Sequence, residues 1–245
     1  MGIFLSKRSI EEICEELAES YMATKSIGTL ETEVDIAGLV TGYFKLRVYY
    51  VTFADDNDEE TLGHLCDGRE MVSIVIDGKV KDYIFPKNTI LLSVKLKAPN
   101  ERARRRFTLA HELFHYIDCL MNGYPIEEYM NALASGRRTS VSLEKIVSDR
   151  EWRADRGAAA LLMPKQLVMK VYHEIVGVEK IAVYGSDTFM PEDRERIFMM
   201  ADRLGVSFTA LMIRLREFGM LAQHKTSELV MMTITAAIKE RACEH

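Results

Sequence analysis

FTLAHELFHYID, residues 107–118, carries two histidines four apart with a glutamate directly after the first. Residues four apart on a helix share a face, so the imidazoles of His111 and His115 can reach one ion. Glu112 lies beside them, where a base acting on water belongs. Ala110, Leu113, Ile117 and Leu120 make the opposite face apolar, and it is expected to pack on the sheet. An amphipathic helix with two surface histidines would show the same pattern, so the rest of the chain must decide.

A catalytic zinc ion takes three protein ligands and keeps one position open. SDREWRADRGAAALLMP, residues 148–164, offers the third. Glu151, Asp155, Ala158 and Leu162 stand at i, i+4, i+7 and i+11, one stripe in which two carboxylates continue an apolar, buried face. A buried carboxylate needs a partner, and an ion held by histidines is a suitable one. Glu151 is therefore the expected third ligand. Its competing role is that of the glutamate in a capping box with Ser148. For Asp155 the competing role is a pair with Arg150 or Arg156, at the wrong spacing for either. Glu144 is a rival ligand that lacks the E-x-x-x-D context.

The 245 residues suffice for one large domain or a domain with a helical appendage. Hydrophobic content of 48% with 28% charged residues is ordinary for a soluble globular protein. The four cysteines (Cys14, Cys66, Cys119, Cys243) form no CxxC pair, which argues against a disulfide framework and a cysteine zinc knuckle. A reducing cytoplasm is the expected location. No apolar run approaches the roughly 18 residues of a membrane span, and MGIFLSKRS is too short in apolar residues for a secretory signal. Gly2 and Ser6 do match the loose M-G-x-x-x-S acylation pattern. A net charge of −5 and pI near 5.8 argue against non-specific nucleic-acid binding.

Along the chain, residues 9–24 read as a helix capped by Ser9, and 32–43 as a second helix. LRVYYVTF (46–53) reads as a strand, ADDNDEE (54–60) as a solvated turn, and MVSIVI (71–76) with VKDYIF (80–85) as a hairpin about Asp77-Gly78. NTILLSVKL (88–96) adds a further strand, giving a small, mostly antiparallel sheet. From Pro99 onward the pattern is almost entirely helical. Asn100 is expected to cap the HExxH helix, Gly123 to end it, residues 123–147 to form a loop with some helix, and Pro164 to halt a helix from Ser148 to Met163. Strands first and helices after indicate an α+β domain.

HExxH followed by E-x-x-x-D resembles the gluzincin metallopeptidases. The fuller runs R-R-F-T-L-A-H-E-L-F-H-Y (105–116) and E-x-x-A-D-x-x-A-A-x-L-L-M-P (151–164) resemble the ImmA/IrrE family of metallo-endopeptidases. So do ILLSVKL (90–96) and LGVSFTALMIRLREFGML (204–221), and the likeness covers roughly residues 30–221. It implies a zincin-like core over residues 1–164, its sheet packed on the HExxH helix. A helix-turn-helix-like segment would follow over 165–221; the methionine-rich helical tail over 222–245 lies beyond the likeness and reads as a docking helix or a frayed end. The likeness further implies zinc on His111, His115 and Glu151, Glu112 as proton-transferring base, and Asp155 orienting a ligand histidine. Manganese or iron suits the same donor set. The implied partner is a protein substrate, a helix-turn-helix repressor whose cleavage frees mobile-element or stress genes. Two departures stand out: Phe114 replaces a frequent glycine, and 35 residues separate His115 from Glu151.

An oxyanion donor is also expected, with Tyr116, Tyr172 and His173 as candidates. Residues 192–204 and 207–217 read as two helices capped at the turn by Ser207, and a DNA-reading face would use Ser207, Thr209 and Arg214. The second helix is too apolar for that use, and RARRRF (102–107) reads as a solvated face. Two other function classes compete with the peptidase. A DNA-binding regulator whose peptidase-like domain no longer cleaves would be expected to lose part of the motif. An interaction module with structural zinc would normally need a fourth protein ligand.

Overall fold

The computed structural model describes residues 5–24, 33–54, 61–123 and 143–243. Gly2 of the acylation pattern, most of the acidic stretch 54–60 and residues 124–142 lie outside these. The architecture is α+β, with small sheets against a larger helical body.

Helix α1 (Lys7–Thr24) buries Ile10, Cys14, Ala18 and Tyr21 at helical spacing. It starts earlier than expected. Ser6 serves its first turn in place of Ser9, its Oγ accepting from Ser9 N at 3.1 Å. The helix expected over 32–43 is shorter: α2 (Ile36–Gly38) is capped by Asp35 and widens into a π turn over Leu39–Tyr43.

Strands β1 (Arg47–Val51), β2 (Gly63–Cys66) and β5 (Thr89–Ser93) form one sheet in the order β1-β5-β2. Antiparallel pairing prevails over residues 46–96, as expected, but not throughout: β2 is antiparallel to β5, whereas β1 runs parallel to it. A parallel pair needs a crossover, and the long chain between β1 and β5 supplies it. That chain includes the hairpin β3 (Met71–Ile76) and β4 (Lys79–Ile84), which turns at Asp77-Gly78 with both residues at positive φ, the geometry such a turn requires. The short strand β2 went unread in the sequence because GHLC has neither length nor clear alternation. After Ser93 the chain leaves the sheet in a 3₁₀ turn (Val94–Lys97), so the strand expected over 88–96 is shorter.

A second 3₁₀ turn (Pro99–Glu101) leads into α3 (Arg102–Asn122), and Asn100 makes no cap hydrogen bond to it. Gly123, at φ 78°, closes α3 with its N–H on Cys119 O at 2.9 Å. Helix α4 (Leu143–Leu162) is longer than expected, so Ser148 lies inside it and cannot form a capping box with Glu151. Pro164 then separates it from α5 (Lys165–Ile175). The carboxyl-terminal region is not wholly helical: β6 (Ile181–Tyr184) pairs parallel with β7 (Leu221–His224), a strand that straddles residue 222. Between them lie α6 (Pro191–Leu204) and α7 (Phe208–Glu217), and α8 (Thr226–Cys243) follows.

Ile90 and Leu92 of β5, Ala110, Leu113, Phe114 and Ile117 of α3, and Ala158, Leu161 and Leu162 of α4 share one core with α1, α6 and α7. Leu120 was expected on that apolar face but is 64% exposed, in a shallow groove shared with Ile13 and Leu17 of α1. Of the arginines of RARRRF, Arg102 and Arg104 lie on the expected solvated face, while Arg105 and Arg106 turn inward. Arg105 donates to Leu96 O, Arg106 donates to Val34 O and Gly205 O, and Arg102 pairs with Glu33. They tie the start of α3 to neighbouring loops.

Candidate metal centre

His111 and His115 project from the middle of α3 toward α4, and Glu151 meets them from the third turn of α4. Their donor atoms all lie within 4.8 Å of one another. Glu151 Oε2 is 3.2 Å from His111 Nε2, its Oε1 is 3.3 Å from His115 Nε2, and the two Nε2 atoms are 2.9 Å apart. His111 Nδ1 is 3.0 Å from Asp155 Oδ1, which directs the ring and leaves Nε2 toward the group. Two imidazole nitrogens and one carboxylate oxygen converging beside open space fit a divalent metal of the zinc type. Among the described residues this is the one group of histidine, cysteine and carboxylate side chains so gathered. Glu144, the rival ligand, is exposed on the first turn of α4 and outside it.

The carboxylate stripe differs from its sequence reading in one respect. Ala158 and Leu162 are buried, whereas the Glu151 and Asp155 side chains are 55% and 62% exposed. The stripe begins in an open cleft and runs from there into the core. Asp155 pairs with His111 rather than with either neighbouring arginine.

That cleft, about 730 Å³, is lined on one side by Phe107, Thr108, His111, Glu112 and His115. Gly63, His64 and Leu65 of the edge strand β2 line the other, with Glu151, Asp155 and Arg150 on the α4 wall. Glu112 is nearly fully buried beneath β2. A Cβ on Gly63 would lie 2.5 Å from Glu112 Oε1 and 2.6 Å from Thr108 Cγ2, so only glycine admits the carboxylate there. Gly63 escaped the sequence reading, although a glycine within a short apolar run is the signal for such close approach.

Charge organises the group. Burial pushes the Glu112 carboxyl above the ordinary glutamate value, against the pull of the nearby imidazoles. Burial lowers the His111 imidazolium, but hydrogen bonds to Asp155 and Glu151 outweigh it and raise the ring to about 10. Hydrogen bonds from His111 and His115 hold Glu151 well below the carboxylate range. Without metal, a proton on His111 thus offsets the two carboxylates.

The three expected oxyanion donors lie elsewhere. Tyr116 packs edge-on against Phe44, Tyr172 donates to Glu179 O, and His173 lies 3.0 Å from Gly177 O. His64, unread in the sequence, is the further imidazole in the cleft. Its buried Nε2 makes no hydrogen bond among the described residues and lies 3.7 Å from Glu70 Oε2.

Phe114, the large residue where a glycine was expected, explains another glycine. It is fully buried with its ring over Gly157 of α4, where an added Cβ would sit 1.9 Å from Phe114 Cδ2. Bulk on α3 is matched by its absence on α4. The residues considered for DNA contact behave differently. Ser207 caps α7, its Oγ accepting from Ala210 N, while Arg214 is buried in ion pairs with Glu11 and Glu217.

No curated protein matches the chain. Among solved structures, a Mycobacterium tuberculosis transcriptional regulator is similar at 16% identity with a TM-score of 0.43. The likeness covers 83% of this chain and 46% of that one, so this chain spans about half the neighbour's length. No described helix is long and apolar enough to cross a membrane. A family model described as the IrrE N-terminal-like domain, peptidase M78, matches residues 75–216, a span that contains both helices of the metal group. Matched over more than half its length by that model, the chain belongs to the IrrE-like peptidase M78 family.

Proposed function

We propose that the protein is a zinc-dependent endopeptidase that cuts one specific protein, a helix-turn-helix repressor, and so relieves repression of mobile-element or stress genes. The observation that carries the hydrolytic part is the meeting of His111, His115 and Glu151 in an open cleft with Glu112 alongside. A zinc ion held there supplies Lewis-acid polarisation of a scissile carbonyl and acidifies water. Glu112 removes the proton from the attacking water and returns it to the leaving amine, a task helped by a carboxyl that burial makes more basic. Asp155 holds His111 in the tautomer that leaves Nε2 free. Among the described residues the outer edge of β2 is unpaired within its sheet and borders the cleft, so an extended substrate can add there as a further strand.

The alternative is a DNA-binding regulator whose peptidase-like domain no longer cleaves. It is weakened by Arg214, which is only 1% exposed at its side chain and committed to Glu11 and Glu217. The test asks whether the neighbouring reading frame encodes a small helix-turn-helix protein, mixes that protein with the zinc-loaded chain and reads cleavage by mass spectrometry. Glu112→Gln is expected to retain zinc and lose cutting by at least about 100-fold. Normal cleavage by that variant removes Glu112 from the mechanism, and absence of cleavage by the parent removes the repressor as substrate.

A further inference from the structure

A three-ligand site drawn from two helices needs those helices in register to within about 0.5 Å. The Phe114–Gly157 contact sets how closely α3 and α4 approach, but a ring lying on a bare backbone resists sliding along the axis only weakly. A slip of one residue would carry Glu151 about 1.5 Å away from the histidines. Directional contacts are needed, and they lie just beyond the metal group. Asp118, three residues past His115 and 1% exposed, accepts from Arg153 at both carboxylate oxygens, Nε to Oδ1 at 2.9 Å and Nη2 to Oδ2 at 3.1 Å. Arg150 Nε is 3.3 Å from the same Oδ2. Arg150 Nη1 also donates to Cys119 Sγ and Nη2 to Gly123 O, while Asn122 Nδ2 steadies Asp118 Oδ1 at 3.0 Å. Arg150 and Arg153 bracket Glu151 in the chain, so a carboxylate on α3 grips α4 on both sides of the third ligand.

We infer that Asp118 is a positioning residue for the metal centre: its buried clamp on Arg150 and Arg153 locks α4 against α3 so that Glu151 meets His111 and His115. A bidentate arginine–carboxylate pair fixes both distance and orientation, which an apolar contact does not. Buried ion pairs are often replaceable by apolar residues of similar volume without loss of stability. On that ground the clamp serves register, and its removal should affect metal binding beyond its effect on folding. This inference rests on reading His111, His115 and Glu151 as a metal site.

The test compares the full-length parent with Asp118→Asn and with the apolar replacement Asp118→Leu/Arg153→Met. Zinc affinity is measured by competition with a chromophoric chelator, coordination geometry by the visible spectrum of the cobalt-loaded protein, and stability by unfolding without metal. The apolar pair is expected to stay folded at reduced metal-free stability, because Arg150 loses its carboxylate while keeping its bonds to Cys119 Sγ and Gly123 O. Both variants should bind zinc about 10–100-fold more weakly and show altered cobalt bands. Parent-like zinc affinity and cobalt spectrum in the folded apolar pair would overturn the role of Asp118, whatever Asp118→Asn does to folding. Failure of the parent itself to take up zinc would overturn the metal-site reading and the inference with it.

Discussion

Replacing Gly157 by alanine tests how the two ligand-bearing helices are held apart. The added Cβ would stand 1.9 Å, 2.1 Å and 2.4 Å from Cδ2, Cγ and Cε2 of Phe114, against an ordinary contact of 3.4–4 Å. Relief requires α3 and α4 to separate by about 1.5 Å, or the ring to leave. Neither is easy. Phe114 is wholly enclosed, and α1 backs α4 at this point, with Cys14 Sγ 3.7 Å from Gly157 O. In an open helix the same substitution would stabilise by about 0.5–1 kcal/mol. Overpacking here costs about 1–3 kcal/mol and decides the sign. The net expectation is a loss of about 1–2 kcal/mol in urea unfolding, with weaker zinc binding because Glu151 moves away from His111 and His115. Phe114→Leu shortens the ring's reach, so the double variant should be more stable than the two single losses predict, by about 1 kcal/mol of coupling. A Gly157→Ala protein as stable as the parent, binding zinc equally well and additive with Phe114→Leu, would refute the reasoning.

Two further perturbations follow from the same geometry. Gly63→Ala intrudes on Glu112 without touching a ligand, so zinc affinity should hold while peptide cleavage falls on the order of 100-fold, as a displacement near 1 Å typically costs; full activity would show that Glu112 is not seated beneath β2. Burial alone would raise Glu217, but hydrogen bonds from Arg156 and Lys7 outweigh it and bring the carboxyl from 4.5 down to about 2. A folded value below the unfolded one means stability that is present above pH 4.5 and lost as pH falls toward 2, at most roughly 3 kcal/mol. Glu217→Gln should flatten that acid limb in thermal melts, and an unchanged limb would assign acid sensitivity elsewhere.

What the sequence determined by itself was whatever depends on spacing within one element. His111, Glu112 and His115 are neighbours on any helix that contains them, and so are Glu151 and Asp155, because 3.6 residues make a turn whatever surrounds it. The turn at Asp77-Gly78, the stop at Gly123 and the cap at Ser207 are equally local, each set by one backbone conformation or one side-chain hydrogen bond. The tertiary structure decided what depends on two distant elements meeting. The parallel pairing of β1 with β5, the short strand β2 and the pairing of β6 with β7 are stabilised by partners far along the chain, so no local pattern announces them. The same holds for Gly63 over Glu112, Phe114 over Gly157 and Asp118 between two arginines. Exposure of Glu151 and Asp155 was misread for that reason: helical periodicity places residues on a stripe, but only the packing of α4 beside β2 and α3 leaves one end of that stripe open as a cleft.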